Sequence, residues 1–196
     1  MIWESGPWKD ELKKISQTLF TLDIEDENFT IEFEKNVFLA SYIIIKLIRS
    51  FKFSDEFREE LYQIETYPYF DEDDFDDLPE GYITLTHMND YNWEKYYNFD
   101  KPTIEKRRAD FICNQINHSY VFVYEEYENR TNKGFYFNSD KTKMKFVFKI
   151  ALTEFQRLIK LAATDDIVSF CGHKDMETGE WIIKNSRFHN VKRISS

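Results

Sequence analysis

The chain has 196 residues and a formal net charge of −10, a sign that repels polyanions and disfavours generic DNA binding. Its 19 Phe, 12 Tyr and 4 Trp supply enough large apolar groups for a core, which excludes global disorder, and its five glycines leave little material for Gly-rich phosphate loops. Two cysteines, Cys113 and Cys171, make no disulfide framework and read as free thiols of a reducing compartment.

The first ten residues are charged early and carry no apolar signal core, so a cytoplasmic location is expected. The longest apolar stretch, Val37 to Ile48, spans 12 residues and contains Lys46. That falls short of the roughly 20 residues needed to cross a bilayer, and no membrane partner is expected. The length suits one α+β domain: an N-terminal bundle of about four helices, then an antiparallel sheet of four or five strands with one covering helix. The helical part is expected to cover about 8–118 and the β-rich part about 119–196.

A first helix follows Pro7 and runs to about Leu22, with Leu12, Ile15, Leu19 and Leu22 at helical spacing. From Thr30 to Ser50, the apolar stripe Phe33, Val37, Phe38, Ile44, Ile45 and Ile48 predicts the central helix. Ser54 is a natural N-cap for a third helix carrying Phe57, Leu61 and Ile64 on one face. The run Asp71 to Asp77 is too densely acidic for a regular element and reads as a solvent-facing loop. It does not fit a calcium loop, because Phe75 stands at the fifth position and Asp76 replaces the glycine at the sixth. Beside Tyr67, Tyr69, Phe70 and Phe75, the carboxylates Asp73, Asp74, Asp76 and Asp77 form a candidate surface for a basic protein partner.

Tyr82 to Thr86 reads as a short strand, Asn89 to Asp100 as loop or irregular helix, and Pro102 to His118 as a fourth helix. Beyond it the period changes. Tyr120–Tyr124, Phe135–Phe137 and Met144–Ile150 read as strands, the last two flanking a turn at Asn138–Lys141. Thr153 is the expected N-cap of a helix with Phe155, Leu158, Ile159 and Ala162 on one face. Strands at Ile167–Cys171 and Trp181–Lys184 close the chain.

Dinucleotide fingerprints, Walker loops, nucleophile elbows and zinc-protease helices are all missing from the sequence. The four histidines, His87, His118, His173 and His189, lie far apart. Cys171-Gly172-His173 supplies two ligands at most where a structural zinc needs four, so neither metal nor cofactor is expected. Lys106-Arg107-Arg108 and Lys184 to Arg193 are the candidate basic patches.

On the fourth helix, Asp110, Asn114 and His118 fall on one face at successive i, i+4 steps, with Arg107 nearly in line one turn earlier. The histidine stands at the carbonyl end, where the helix dipole favours a cationic side chain. The pair Asn114 and His118 also suits a structural role, bonding the last carbonyls and steering the chain into the strand at Tyr120.

Asn114-x-x-x-His118, near the end of a long helix in a helical region, resembles the HEPN superfamily of prokaryotic proteins. The resemblance implies metal-independent endoribonuclease activity at a site built across a homodimer, in a stress or phage-defence setting, with Asn114 as the polar position and His118 as the catalytic histidine. The family's arginine position is occupied by Cys113. Arg108, the nearest arginine upstream, is separated from His118 by about 15 Å of helical rise. A thiol cannot supply the charge of a guanidinium, so the expected function is a degenerate HEPN-like component acting through an RNA or protein partner. The alternative is a non-enzymatic protein-interaction module built on the acidic and aromatic residues of 67–77.

Overall fold

The computed structural model describes residues 2–70, 84–125, 134–179 and 181–186, the side chains of Trp181 and Ile183 excepted. Helix α1 spans Gly6–Thr21 with Pro7 in its first turn, where the backbone amides lack partners anyway. Helix α2, Phe29–Arg49, buries Phe33, Val37, Ala40, Ile43, Ile44 and Leu47, each an apolar side chain whose burial contributes up to about 3 kcal/mol. It ends where Phe51 takes a left-handed φ of 55° and the Lys52 amide turns back to the Leu47 carbonyl at 3.0 Å.

Ser54 caps α3 as expected, its hydroxyl oxygen accepting from the Phe57 amide at 3.2 Å. The helix stops at Glu59, having run only Asp55–Glu59. Strand β1, Leu61–Pro68, then takes residues expected on its last turns. The expectation of one longer helix fails because Tyr62, Ile64 and Thr66 also satisfy a period of two, and pairing with strands on both sides decides the matter.

A similar correction applies to the fourth helix. Residues Thr103–Arg108 form strand β2, paired antiparallel with β1 from Thr66↔Thr103 to Leu61↔Arg108. Helix α4 is confined to Ala109–Asn117. Between β1 and β2, a short 3-10 helix occupies Asp90–Tyr96. Thr84–Thr86 form no strand, and the rest of that expected element lies outside the described residues.

Strands β3 (Ser119–Tyr124), β4 (Gly134–Ser139) and β5 (Phe146–Ala151) complete an antiparallel sheet in the order β2-β1-β5-β4-β3. The α+β class and the five-stranded antiparallel sheet are as expected, but two of the five strands come from the stretch read as helical. Helix α5, Leu152–Thr164, buries Phe155, Leu158, Ile159 and Ala162 as predicted, although Ala151 rather than Thr153 stands at its N-cap.

Both faces of the sheet are covered. Tyr62, Ile64, Phe135, Phe137, Phe148 and Ile150 point into the main core with the helices. The alternate positions Tyr67, Val121, Tyr136 and Val147 meet Leu85, Trp93, Tyr96 and Tyr97 in a second cluster. Strand β4 is therefore buried along nearly its whole length. Fully buried Asn138 satisfies the irregularity between Ser119 and Val121: it accepts from the Val121 amide at 3.1 Å and donates to the Tyr97 hydroxyl at 2.7 Å.

Strands β6 (Ser169–Lys174) and β7 (Trp181–Ser186) form a separate hairpin. It docks on α3 through the Asn185 amide on Asp55, at 3.2 Å, and the Ser186 hydroxyl on Glu56, at 2.7 Å. No helix among the described residues is long and apolar enough to cross a membrane.

Candidate functional site

Helix α4 turns its apolar residues Ala109, Ile112, Cys113 and Ile116 into the core. The remaining positions are left to the surface, and Asn114 is one of them. Arg49, in the last turn of α2, donates to the Asn114 side-chain oxygen at 3.3 Å. Exposed His118 is the C-cap residue; its backbone amide bonds the Asn114 carbonyl at 3.2 Å. The imidazole bonds none of the last carbonyls, so the expected structural capping by that ring is made by the backbone alone.

Cys113 is fully buried, and burial pushes its thiol up to about 12. The chain position where the resemblance wants arginine therefore faces the core, and the guanidinium that bonds Asn114 comes from another helix, 65 residues away in sequence. Nothing in the sequence pairs Arg49 with Asn114. The neighbouring Gln115 has a clear structural role for which its sequence position carries no signal: its oxygen accepts from the Ser139 amide at 3.0 Å and the Thr142 hydroxyl at 2.8 Å, pinning the β4–β5 turn to α4.

Because β2 is a strand, Arg107 does not stand on the helical face of Asp110, Asn114 and His118. It shares the helix-covered side of the sheet with its partner Tyr62, and its guanidinium lies over the Phe111 ring at 4.9 Å. It reaches the neighbourhood of Asn114 all the same. A cleft of about 480 Å³ is lined by Lys106, Arg107, Arg108, Asp110, Asn114 and Gln115. An adjoining one of about 380 Å³ shares Arg108 and Asp110 and adds Asp55, Arg58, Glu59 and Lys184. The two basic segments marked in the sequence thus meet at one place, through Arg108 and Lys184. The part of the second segment beyond residue 186 lies outside the described residues.

Several of these charges are already paired. Arg107 meets Glu105, Arg108 lies 3.6 Å from Asp110, and Arg58 lies 3.5 Å from Asp55. Among the described residues that line the joined clefts, cations still outnumber carboxylates, the reverse of the chain as a whole. Charged side chains on β2 also guard an edge strand against pairing with another chain. That role accounts for their exposure but not for the arrival of Asn114 and Arg49 beside them.

No group of three or more metal-ligating side chains occurs among the described residues. Cys113 is buried and Cys171 exposed. The acidic candidates Asp73, Asp74, Asp76 and Asp77, with Phe75, lie outside the described residues. Of the aromatic residues beside them, Tyr67 is buried, and Tyr69 packs edge-on to Tyr97 at 5.5 Å, both within the second cluster. Comparison with family models, with curated proteins and with solved structures finds no match to this chain.

Proposed function

We propose that this chain is a HEPN-like protein that holds single-stranded RNA in the cleft between β2 and α4 without cutting it by the arginine-dependent route of that family. The observation carrying the reading is the convergence of Lys106, Arg107, Arg108 and Asn114 on one cleft, with the Arg49 guanidinium on Asn114. Ammonium and guanidinium groups suit phosphate oxygens, and an amide can both donate and accept. The buried position of Cys113 favours binding over cleavage, because a phosphoryl transition state needs a fixed cation beside the developing charge. The net charge of −10 fits a mode confined to a few phosphates, with a correspondingly shallow dependence on salt. A prokaryotic stress or phage-defence setting, and a homodimer with its two copies of His118 near the two-fold axis, belong to the same proposal.

The test is a titration of labelled single-stranded RNA with the full chain in the presence of EDTA, with the RNA recovered and sized afterwards. Saturable binding is expected, weakened about tenfold by Asn114→Ala or Arg49→Ala, with the RNA intact. Lack of binding would sink the reading. Cutting that persists in EDTA and disappears in His118→Ala would replace it with a metal-independent endoribonuclease. A solution mass equal to one chain would remove the dimer.

A further inference from the structure

On the sheet face opposite the helices, away from the α4 cleft, three aromatic rings meet, two pairs edge to face and one pair tilted. Trp93 and Phe99 stand 5.9 Å apart at 75°, Phe99 and Tyr136 5.7 Å at 88°, and Trp93 and Tyr136 5.2 Å at 49°. Rings so inclined form the walls of a corner rather than a stack. Tyr67 backs two of them, its ring 4.9 Å from Phe99 and 6.0 Å from Tyr136. The corner opens into a pocket of about 320 Å³, within the range of small-ligand sites.

The charged groups among the described residues of this pocket are of one sign. Glu94 and Glu125 line it, and among the described residues no lysine or arginine does. Glu125 is buried and accepts from the Tyr136 hydroxyl at 2.8 Å, while the Lys149 ammonium lies 2.8 and 2.7 Å from its two oxygens. The hydrogen bond ties the Tyr136 ring to Glu125, and the ion pair cancels that carboxylate's charge. Exposed Glu94, next to Trp93, makes no ion pair among the described residues, whose charges in the pocket sum to a negative value. Aromatic faces carry negative potential and attract cations, most strongly those whose alkyl groups also fill an apolar corner. The Lys149 ammonium, 5.5 Å from the Tyr136 centroid, already uses the same attraction from within the protein.

We infer that Trp93, Phe99 and Tyr136, with Glu94 beside them, form a binding site for an alkylated ammonium group. The group can belong to a small quaternary amine or to a methylated lysine of another protein; both present the same chemistry to the rings. This site is independent of the RNA reading and stands or falls without it.

The experiment is isothermal titration of the full chain with tetramethylammonium, with choline, and with 3,3-dimethylbutanol, the uncharged analogue of choline. Saturable binding of the two cations is expected, with the alcohol at least about tenfold weaker. Glu94→Gln, at an exposed position, should weaken the cations about tenfold and leave the alcohol unchanged. Phe99→Leu, checked for folding by circular dichroism, should weaken all three. A trimethyl-lysine peptide that binds more tightly than choline would identify a protein tail as the source, and the reverse order a free amine. Absence of saturation by either cation in the millimolar range would overturn the inference, as would equal affinity for choline and its uncharged analogue.

Discussion

Replacing Cys113 by arginine would place there the residue that the HEPN pattern carries, and the fold predicts that the chain will not tolerate it. Cys113 is fully buried among Ala109, Ile112 and Ile116 on the core face of α4, with α2 packed against that helix. An arginine there buries a charge without a partner, a defect worth about 3–5 kcal/mol. Its larger side chain adds about 1–3 kcal/mol of overpacking. Together these approach the whole stability of a typical domain, about 5–15 kcal/mol. Cys113→Ala removes one sulfur from the same place and should cost about 1 kcal/mol. Arg49→Ala, which removes an exposed side chain, should stay within about 0.5 kcal/mol. Thermal melts followed by circular dichroism separate the three. Cys113→Arg is expected to lack a cooperative transition or to accumulate insoluble, while Arg49→Ala melts like the wild type. A well-folded Cys113→Arg that also cuts RNA would refute the reasoning, because position 113 would then have to face the site.

Other consequences follow from single contacts. With one thiol buried and the other exposed, an aromatic disulfide reagent should modify Cys171 alone in the native chain and both thiols after denaturation; rapid native reaction at Cys113 would contradict its placement. Asn138→Ala leaves the Val121 amide and the Phe146 carbonyl without their side-chain partner, and should cost about 2–3 kcal/mol in urea unfolding. Gly134→Ala would set a methyl group 2.6 Å from the Ile150 carbonyl oxygen in the paired strand, so a lower melting temperature is expected, equivalent to about 2 kcal/mol. Hydrogen bonds from Arg157 hold the Glu154 carboxyl below the usual carboxylate range. A depressed carboxyl stabilises the fold above its unfolded titration and loses that contribution as pH falls through the folded one. The stability gap between wild type and Glu154→Gln should therefore be open at neutral pH and close in acid; a gap independent of pH would contradict the assignment.

Much of the fold is legible where one period dominates. Helices α1, α2 and α5 carry apolar residues every three or four positions, and each buries those side chains. Strand β1 was hidden because Leu61 and Ile64 fit a helical spacing from Phe57, while Tyr62 and Ile64 fit a strand; only pairing with β2 and β5 separates the two. Strand β2 carries five exposed residues of six, so its edge position left no alternation to read, and it runs straight into α4. At the site, the surface placement of Asn114 and His118 was readable from helical spacing. The guanidinium beside Asn114 was not, because Arg49 reaches it by the packing of α2 on α4. The meeting of Arg108 with Lys184 likewise depends on the hairpin's hydrogen bonds to α3, for which a local pattern carries no signal.

The central claim, that RNA is held in one cleft and not by diffuse charge, is tested most directly by removing equal charge from two places. Arg107→Ala/Arg108→Ala takes two cations from the cleft, whereas Lys13→Ala/Lys14→Ala takes two exposed cations from α1. Fluorescence anisotropy with single-stranded RNA should show the first variant binding at least about tenfold more weakly with a flatter salt slope, and the second binding like the wild type. Equal losses in both variants, or none in either, would contradict the claim.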